Sequence, residues 1–170
     1  MKVSLEMEQK RAKATSLKTR LKTRQRRIKW TGLVLLSHFL SFTHLSLFTS
    51  VDSRFDCGMG EGVVRSERPV HLNSWNRVTV YRDGWAAWLT LNGGQQVSGQ
   101  SQGLFTDINF QLELFLGGSP NLTLVSQRTN SFTGLTGCVR KLEINWKSID
   151  FRSDNRGDAL DGIDIGQLFR

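Results

Sequence analysis

The chain has 170 residues and a formal charge of +8, a length that suits one folded domain with an appendage. The charge is uneven: residues 1–50 carry eleven Lys or Arg against Glu6 and Glu8, whereas residues 51–170 carry twelve basic and thirteen acidic side chains. The basic balance therefore belongs to the N-terminal arm, and this excludes a nucleic-acid function argued from whole-chain charge.

The first element in chain order is that arm. Residues 9–29, QKRAKATSLKTRLKTRQRRIK, form a basic run with few apolar anchors. Residues 1–29 are expected to be a solvated, disordered arm. The alternatives are a cytoplasmic flank of a membrane segment and a nucleic-acid or nuclear-import patch through which the chain would act inside the cell. Trp30–Phe48 follows, nineteen residues without Asp, Glu, Lys or Arg. That is near the roughly 20 residues a helix needs to cross a bilayer. His38, His44 and several hydroxyl residues dilute it. Residues 30–50 thus read either as a signal-anchor, with the basic run kept in the cytoplasm and the remainder outside, or as an apolar segment with no membrane role. A cleaved signal fits less well, because the charged region is long and small residues are missing near Ser46–Ser50.

From Phe55 onward short apolar runs alternate with glycine-rich turns, and most of the 16 glycines lie in this part. Val78 and Val80 alternate with Arg77, Thr79 and Tyr81, the period of a strand with one buried face. Asp83-Gly84 suits a two-residue hairpin turn, and Asn92-Gly93 a second one after Trp88, Leu89 and Leu91. Phe110, Leu112, Leu114 and Leu116 alternate with Gln111, Glu113 and Phe115. In GCVRKLEIN, Cys138, Arg140, Leu142 and Ile144 fall on one face, against Val139, Lys141 and Glu143. Ser148–Phe151 adds a short strand, while residues 158–169 could hold a helical turn. An all-β antiparallel sandwich is the implied architecture.

Four of these stretches, in register, resemble a laminin G-like domain. They are Val64-Arg65-Ser66 after a Gly-rich turn, WNRVTV with Asn76 where the family often has His, LELFLGG, and GCVRKLEIN with Trp146 where Gly is common. The resemblance covers roughly residues 55–167. It implies a jelly-roll-like sandwich, occupying residues 51–170, that binds glycans or proteins of the extracellular matrix, such as dystroglycan glycans or heparan sulfate. It implies no catalysis. The expected location is extracellular, or membrane-anchored through residues 30–48 with the β-domain outside, and the alternative is a chain that is not secreted. The strands of the family's initial third are expected to be missing, replaced by the arm and apolar segment. Such a sandwich would have open edges and an incomplete core. A partial product of a larger matrix proteoglycan gene, with no independent activity, is a competing expectation.

The resemblance also implies site residues. Cys138 would pair in the family with a cysteine near the domain's end, but Leu168 stands there. Cys57 is the only internal alternative, 81 positions away, and two free thiols are the expected state. The family's calcium site would draw one ligand from Asp107 or Asn109, but its first Asp would fall in the missing region. No cofactor is expected, and bound Ca²⁺ would be a departure from that. Asn121-Leu122-Thr123 is a glycosylation sequon whose use depends on reaching the secretory lumen. Arg128, Arg140 and Lys141 are candidate polyanion contacts, set against an ordinary role as solvated charges. A glycosidase needs two carboxylates about 5–9 Å apart across the bond. Glu113 is alone on its strand, Asp158, Asp161 and Asp164 read as solvated loop, and no His follows His71 to build a triad. An enzyme is not expected.

Overall fold

A computed structural model describes residues 1–9, 19–21, 50–106, 114–118, 123, 127, 135, 137–152 and 156–162. Their fold is all-β, and every strand pair is antiparallel. The strands in chain order are β1 (Lys2–Gln9), β2 (Thr19–Leu21), β3 (Asp52–Asp56), β4 (Glu61–Arg65), β5 (Trp75–Asp83), β6 (Ala86–Leu91), β7 (Gln96–Gln100), β8 (Leu114–Leu116), β9 (Gly137–Ile144), β10 (Lys147–Ser148) and β11 (Ala159–Gly162). The principal sheet has six strands in the order β10-β9-β1-β5-β6-β7. A three-stranded sheet, β11-β2-β8, and the β3-β4 hairpin complete the set.

The expectation of a disordered arm over residues 1–29 is overturned in the described part. Lys2–Gln9 is a strand at the middle of the large sheet, paired with β5 on one side and β9 on the other. The physical reason lies in KVSLEMEQ itself, where Val3, Leu5 and Met7 alternate with Ser4, Glu6 and Glu8. All three apolar side chains are fully buried. Leu5 faces Val78 across one ladder and Leu142 across the other, and Val78 faces Leu91, so one apolar row crosses four strands. Thr19–Leu21, also inside the basic run, pairs with β8 and β11. The described strands therefore begin well before residue 51, and Lys2–Gln9 supplies a strand between β5 and β9, although the strands of the family's initial third were expected to be missing. Residues 30–48 lie outside the described residues, among which no helix is long and apolar enough to cross a membrane.

The core is one cluster drawn from all three sheets. It includes Leu5, Val80, Leu89 and Ile144 of the large sheet, Leu116 and Ala159 of the three-stranded sheet, and Phe55 and Val64 of the hairpin. The hairpin's second strand crosses β7 in backbone contact. A Cβ on Gly99 would stand 2.6 Å from the carbonyl oxygen of Val63. No side chain fits there, so the hairpin packs face-on against the core side of β7.

Turn chemistry follows the sequence with one shift. Asn92 and Gly93 both have positive φ, +54° and +69°, as the expected hairpin turn requires. The other turn is centred on Gly84-Trp85 rather than Asp83-Gly84, because Asp83 still pairs with Ala86. Only Gly84 has positive φ there, which places glycine at the first position of the turn. Ala159–Gly162 is a strand, so the described part of residues 158–169 does not hold the anticipated helical turn, and residues 163–169 lie outside the described residues. Asp158, read as solvated loop, instead accepts the Asp150 N–H at 3.0 Å and pairs with Lys147 at 3.7 Å.

Candidate functional site: an arginine–tryptophan groove on the open sheet face

Alternation that buries one face of the six-stranded sheet exposes the other, and cross-strand register arranges the outward side chains in bands. Lys141, Glu6 and Arg77 share one band across β9, β1 and β5. Glu143, Ser4, Thr79, Thr90 and Gln96 form the next. Lys2, Tyr81, Trp88 and Ser98 form a third.

A β-bulge decides what the first band contains. Glu6 pairs with Lys141 and Met7 with Val139, so Arg140 is the extra residue of β9. Strict alternation would have put Arg140 on the same face as Leu142 and Ile144, which are buried. The bulge turns it outward beside Lys141. This departs from the face assignment expected of GCVRKLEIN.

Arg140 and Arg77 converge on Glu6. Arg77 donates from Nε and Nη2 to Glu6 Oε1 at 3.0 and 2.6 Å, and Arg140 donates from Nε to Oε2 at 2.7 Å. These partners are 71 and 134 positions from Glu6 in sequence. The hydrogen bonds from Arg77, then from Arg140, hold the Glu6 carboxyl below its ordinary pKa and outweigh the opposing effect of burial. The Arg140 guanidinium also lies 4.4 Å from the centre of the Trp75 ring. With two cations on one carboxylate, the three side chains sum to one positive charge. Glu8, in register with Trp75, brings the local sum to zero. The site therefore offers directed donors rather than a strong field.

These groups line an open groove of about 700 Å³, with His71, Asn92 and Thr90 along its walls. Its floor is fixed by Asn76, which is fully buried. The Asn76 amide accepts from His71 N at 2.9 Å and Asn92 Nδ2 at 3.0 Å, and donates to the carbonyls of His71 and Ser74, both at 2.8 Å. All four hydrogen-bonding positions of the amide are used, so the cost of burying a polar side chain is offset and the 71–75 loop is locked to the Asn92 turn. Arg77 and Arg140 stay about half exposed or more, at 65% and 48%. Fixed forks of this kind match carboxylate or sulfate oxygens.

Of the residues singled out from sequence, Arg140 belongs to the groove. Lys141 faces Glu6 in register but pairs with Glu143 at 3.0 Å. Arg128, Asp107, Asn109 and Asn121 lie outside the described residues. Among the described residues no three His, Cys, Asp or Glu side chains are placed to hold a metal ion. Cys57 and Cys138 are free thiols. Cys57 is buried, and its sulfur accepts from Arg82 Nη2 at 3.2 Å. Sequence reasoning missed Glu6, Arg77 and Trp75. The signal was present for Glu6, in the alternation of KVSLEMEQ, but was submerged by the basic run that follows.

Comparison with known proteins places this geometry in a family. The Laminin G domain family model matches residues 37–150, starting inside the apolar segment considered as a membrane span. Rat pikachurin is 42% identical over 118 residues, which are 69% of this chain and 12% of that protein. The mouse basement membrane-specific heparan sulfate proteoglycan core protein is 34% identical over 102 residues, 60% of this chain and 3% of that protein. The chain thus spans a small fraction of the length of these relatives. Domains LG4-5 of the mouse laminin alpha1 chain superpose with a TM-score of 0.54 at 15% identity, covering 94% of this chain and 37% of that one. With two-thirds of its residues inside the family model and an antiparallel sandwich of the same fold, the chain belongs to the laminin G domain family.

Proposed function

We propose that this chain is a non-catalytic, extracellular binding module that recognises acidic matrix glycans through the Arg77–Glu6–Arg140 groove. The observation that carries the reading is the pair of guanidinium groups held on one carboxylate beside Trp75. Glu6 fixes their orientation before any ligand arrives, which lowers the ordering cost of binding. Trp75 supplies an apolar ring against which a sugar can lie, and the arginines read its carboxylate or sulfate. Because the local charges cancel, binding depends on donor geometry more than on bulk attraction. Sparse acidic groups on a glycan suit the groove better than a dense polyanion does.

The test compares the wild-type chain with a triple variant, Arg77→Ser, Arg140→Ser and Glu6→Gln, which removes both forks without leaving an orphan carboxylate. Surface plasmon resonance against immobilised heparin and uronate-containing oligosaccharides is the readout. Each charge-assisted contact is worth about 1.5–3 kcal/mol, so the variant is expected to bind roughly tenfold more weakly or worse. Unchanged binding by the triple variant would refute the assignment of this groove.

A further inference from the structure

The open sheet face carries a second feature, at the end away from the arginine groove. The turn joining β9 to β10 is made by Asn145 and Trp146, both at positive φ, +49° and +69°. A bulky residue in the left-handed region is a backbone outlier, and glycine would sit there without strain. The Trp146 side chain earns no burial in return, being 78% exposed. The turn is nonetheless fixed. Lys2 N donates to Asn145 Oδ1 at 3.1 Å, and Asn145 N donates to the Lys2 carbonyl at 2.8 Å. The Lys2 ammonium stands 4.0 Å from the Trp146 ring centre. Lys2 pairs in turn with Tyr81, and Tyr81 with Trp88. Tyr81 is 46% exposed, and its ring centre is 5.4 Å from that of Trp88 at a tilt of 34°. A row of ring, cation, ring and ring thus crosses the strands at one level.

We propose that this row is a saccharide-binding platform for an extended glycan bearing uronate groups, laid across the strands from Trp146 to Trp88. At about 4.8 Å per strand the row spans roughly 14 Å, comparable to a short run of pyranose rings. Sugar rings present C–H faces to aromatic rings, which exposed and positionally fixed aromatics favour. Lys2, between two rings, is placed to meet a carboxylate on the intervening sugar. The neighbouring band of Ser4, Thr79, Thr90 and Gln96 runs parallel to it and offers hydroxyl and amide groups to the sugar hydroxyls. A strained, solvent-exposed tryptophan, next to an asparagine tied to Lys2 by two hydrogen bonds, is the pattern of a pre-positioned contact rather than of a folding element.

The inference rests on the module being a glycan binder but assigns a different surface, so the two are tested separately. Binding of a hyaluronan hexasaccharide to the full chain is followed by tryptophan fluorescence at high salt, where exposed ionic contacts are screened and ring contacts persist. Wild-type protein is expected to bind. Trp146→Gly is expected to weaken binding at least tenfold while leaving the melting temperature unchanged or raised, because the turn relaxes. The groove variant Arg77→Ser/Arg140→Ser/Glu6→Gln is expected to retain salt-resistant binding. Three results would overturn the platform: absence of hexasaccharide binding at high salt, loss of it in the groove variant alone, or a Trp146→Gly chain that melts lower with unaltered affinity. Arginine-dependent heparin binding at low salt, together with any of these, would leave the groove standing and remove only the platform.

Discussion

Replacing Leu5 with alanine tests whether the N-terminal stretch is truly the central strand of the large sheet. Leu5 is fully buried and sits in a row with Leu142, Val78 and Leu91. The substitution removes three carbons, about 0.8 kcal/mol each in lost transfer free energy. The cavity left between two flanking strands cannot collapse freely, because both ladders hold the backbone, so the expected total is about 3 kcal/mol. For a chain of this size that corresponds to a fall in melting temperature of roughly 6–12 °C. Ser4→Ala, one residue away but on the outward face, is expected to stay within about 0.5 kcal/mol. Thermal and urea unfolding of the two variants side by side are the assay. If Leu5→Ala costs less than about 1 kcal/mol and behaves like Ser4→Ala, residues 2–9 are not part of the core and the account of the groove, which needs Glu6 on that strand, fails with it.

Glu6 makes a pH prediction. Its folded-state pKa is depressed, so its contribution is fully present above the unfolded value of about 4.3 and is lost as pH falls through the lower folded value. Urea midpoints of the wild type are expected to drop in that acid window. Glu6→Gln is expected to be less stable at neutral pH and to lose less on acidification. Some slope remains because Asp150, bonded by Arg152, is also held below its ordinary value. An identical acid profile for the two proteins would contradict the role given to the arginines. Asn76→Ala strands two backbone carbonyls, the His71 N–H and the Asn92 amide, and is expected to cost about 2–4 kcal/mol with faster amide exchange in residues 71–75. A loss below about 0.5 kcal/mol would show that water replaces those bonds freely.

Much of the fold was legible because its signals are local. Alternation in Trp75–Tyr81 reports a half-buried strand wherever that strand pairs, and Asn92-Gly93 adopts positive φ for reasons internal to two residues. The same rule applied to KVSLEMEQ would have found β1. Its signal is masked because the eight residues run directly into a basic segment whose net charge dominates the whole stretch. The Arg140 assignment failed for a different reason: a bulge changes the face of a side chain without altering composition, so period-2 counting carries straight past it.

By itself, the amino-acid order determined which segments extend, where the Asn92-Gly93 turn falls, and which family the last two-thirds resemble, since each depends on side chains a few positions apart. Only the tertiary structure decided which strands became neighbours. Glu6, Arg77 and Arg140 meet across separations of 71 and 134 positions, and Trp146, Lys2, Tyr81 and Trp88 line up through two ladders and the turn hydrogen bonds between Lys2 and Asn145. A strand's alternation says which face is buried but nothing about what lies beside it. That is settled by register and by the loops that return the chain, and both surfaces proposed to bind ligands are products of that register.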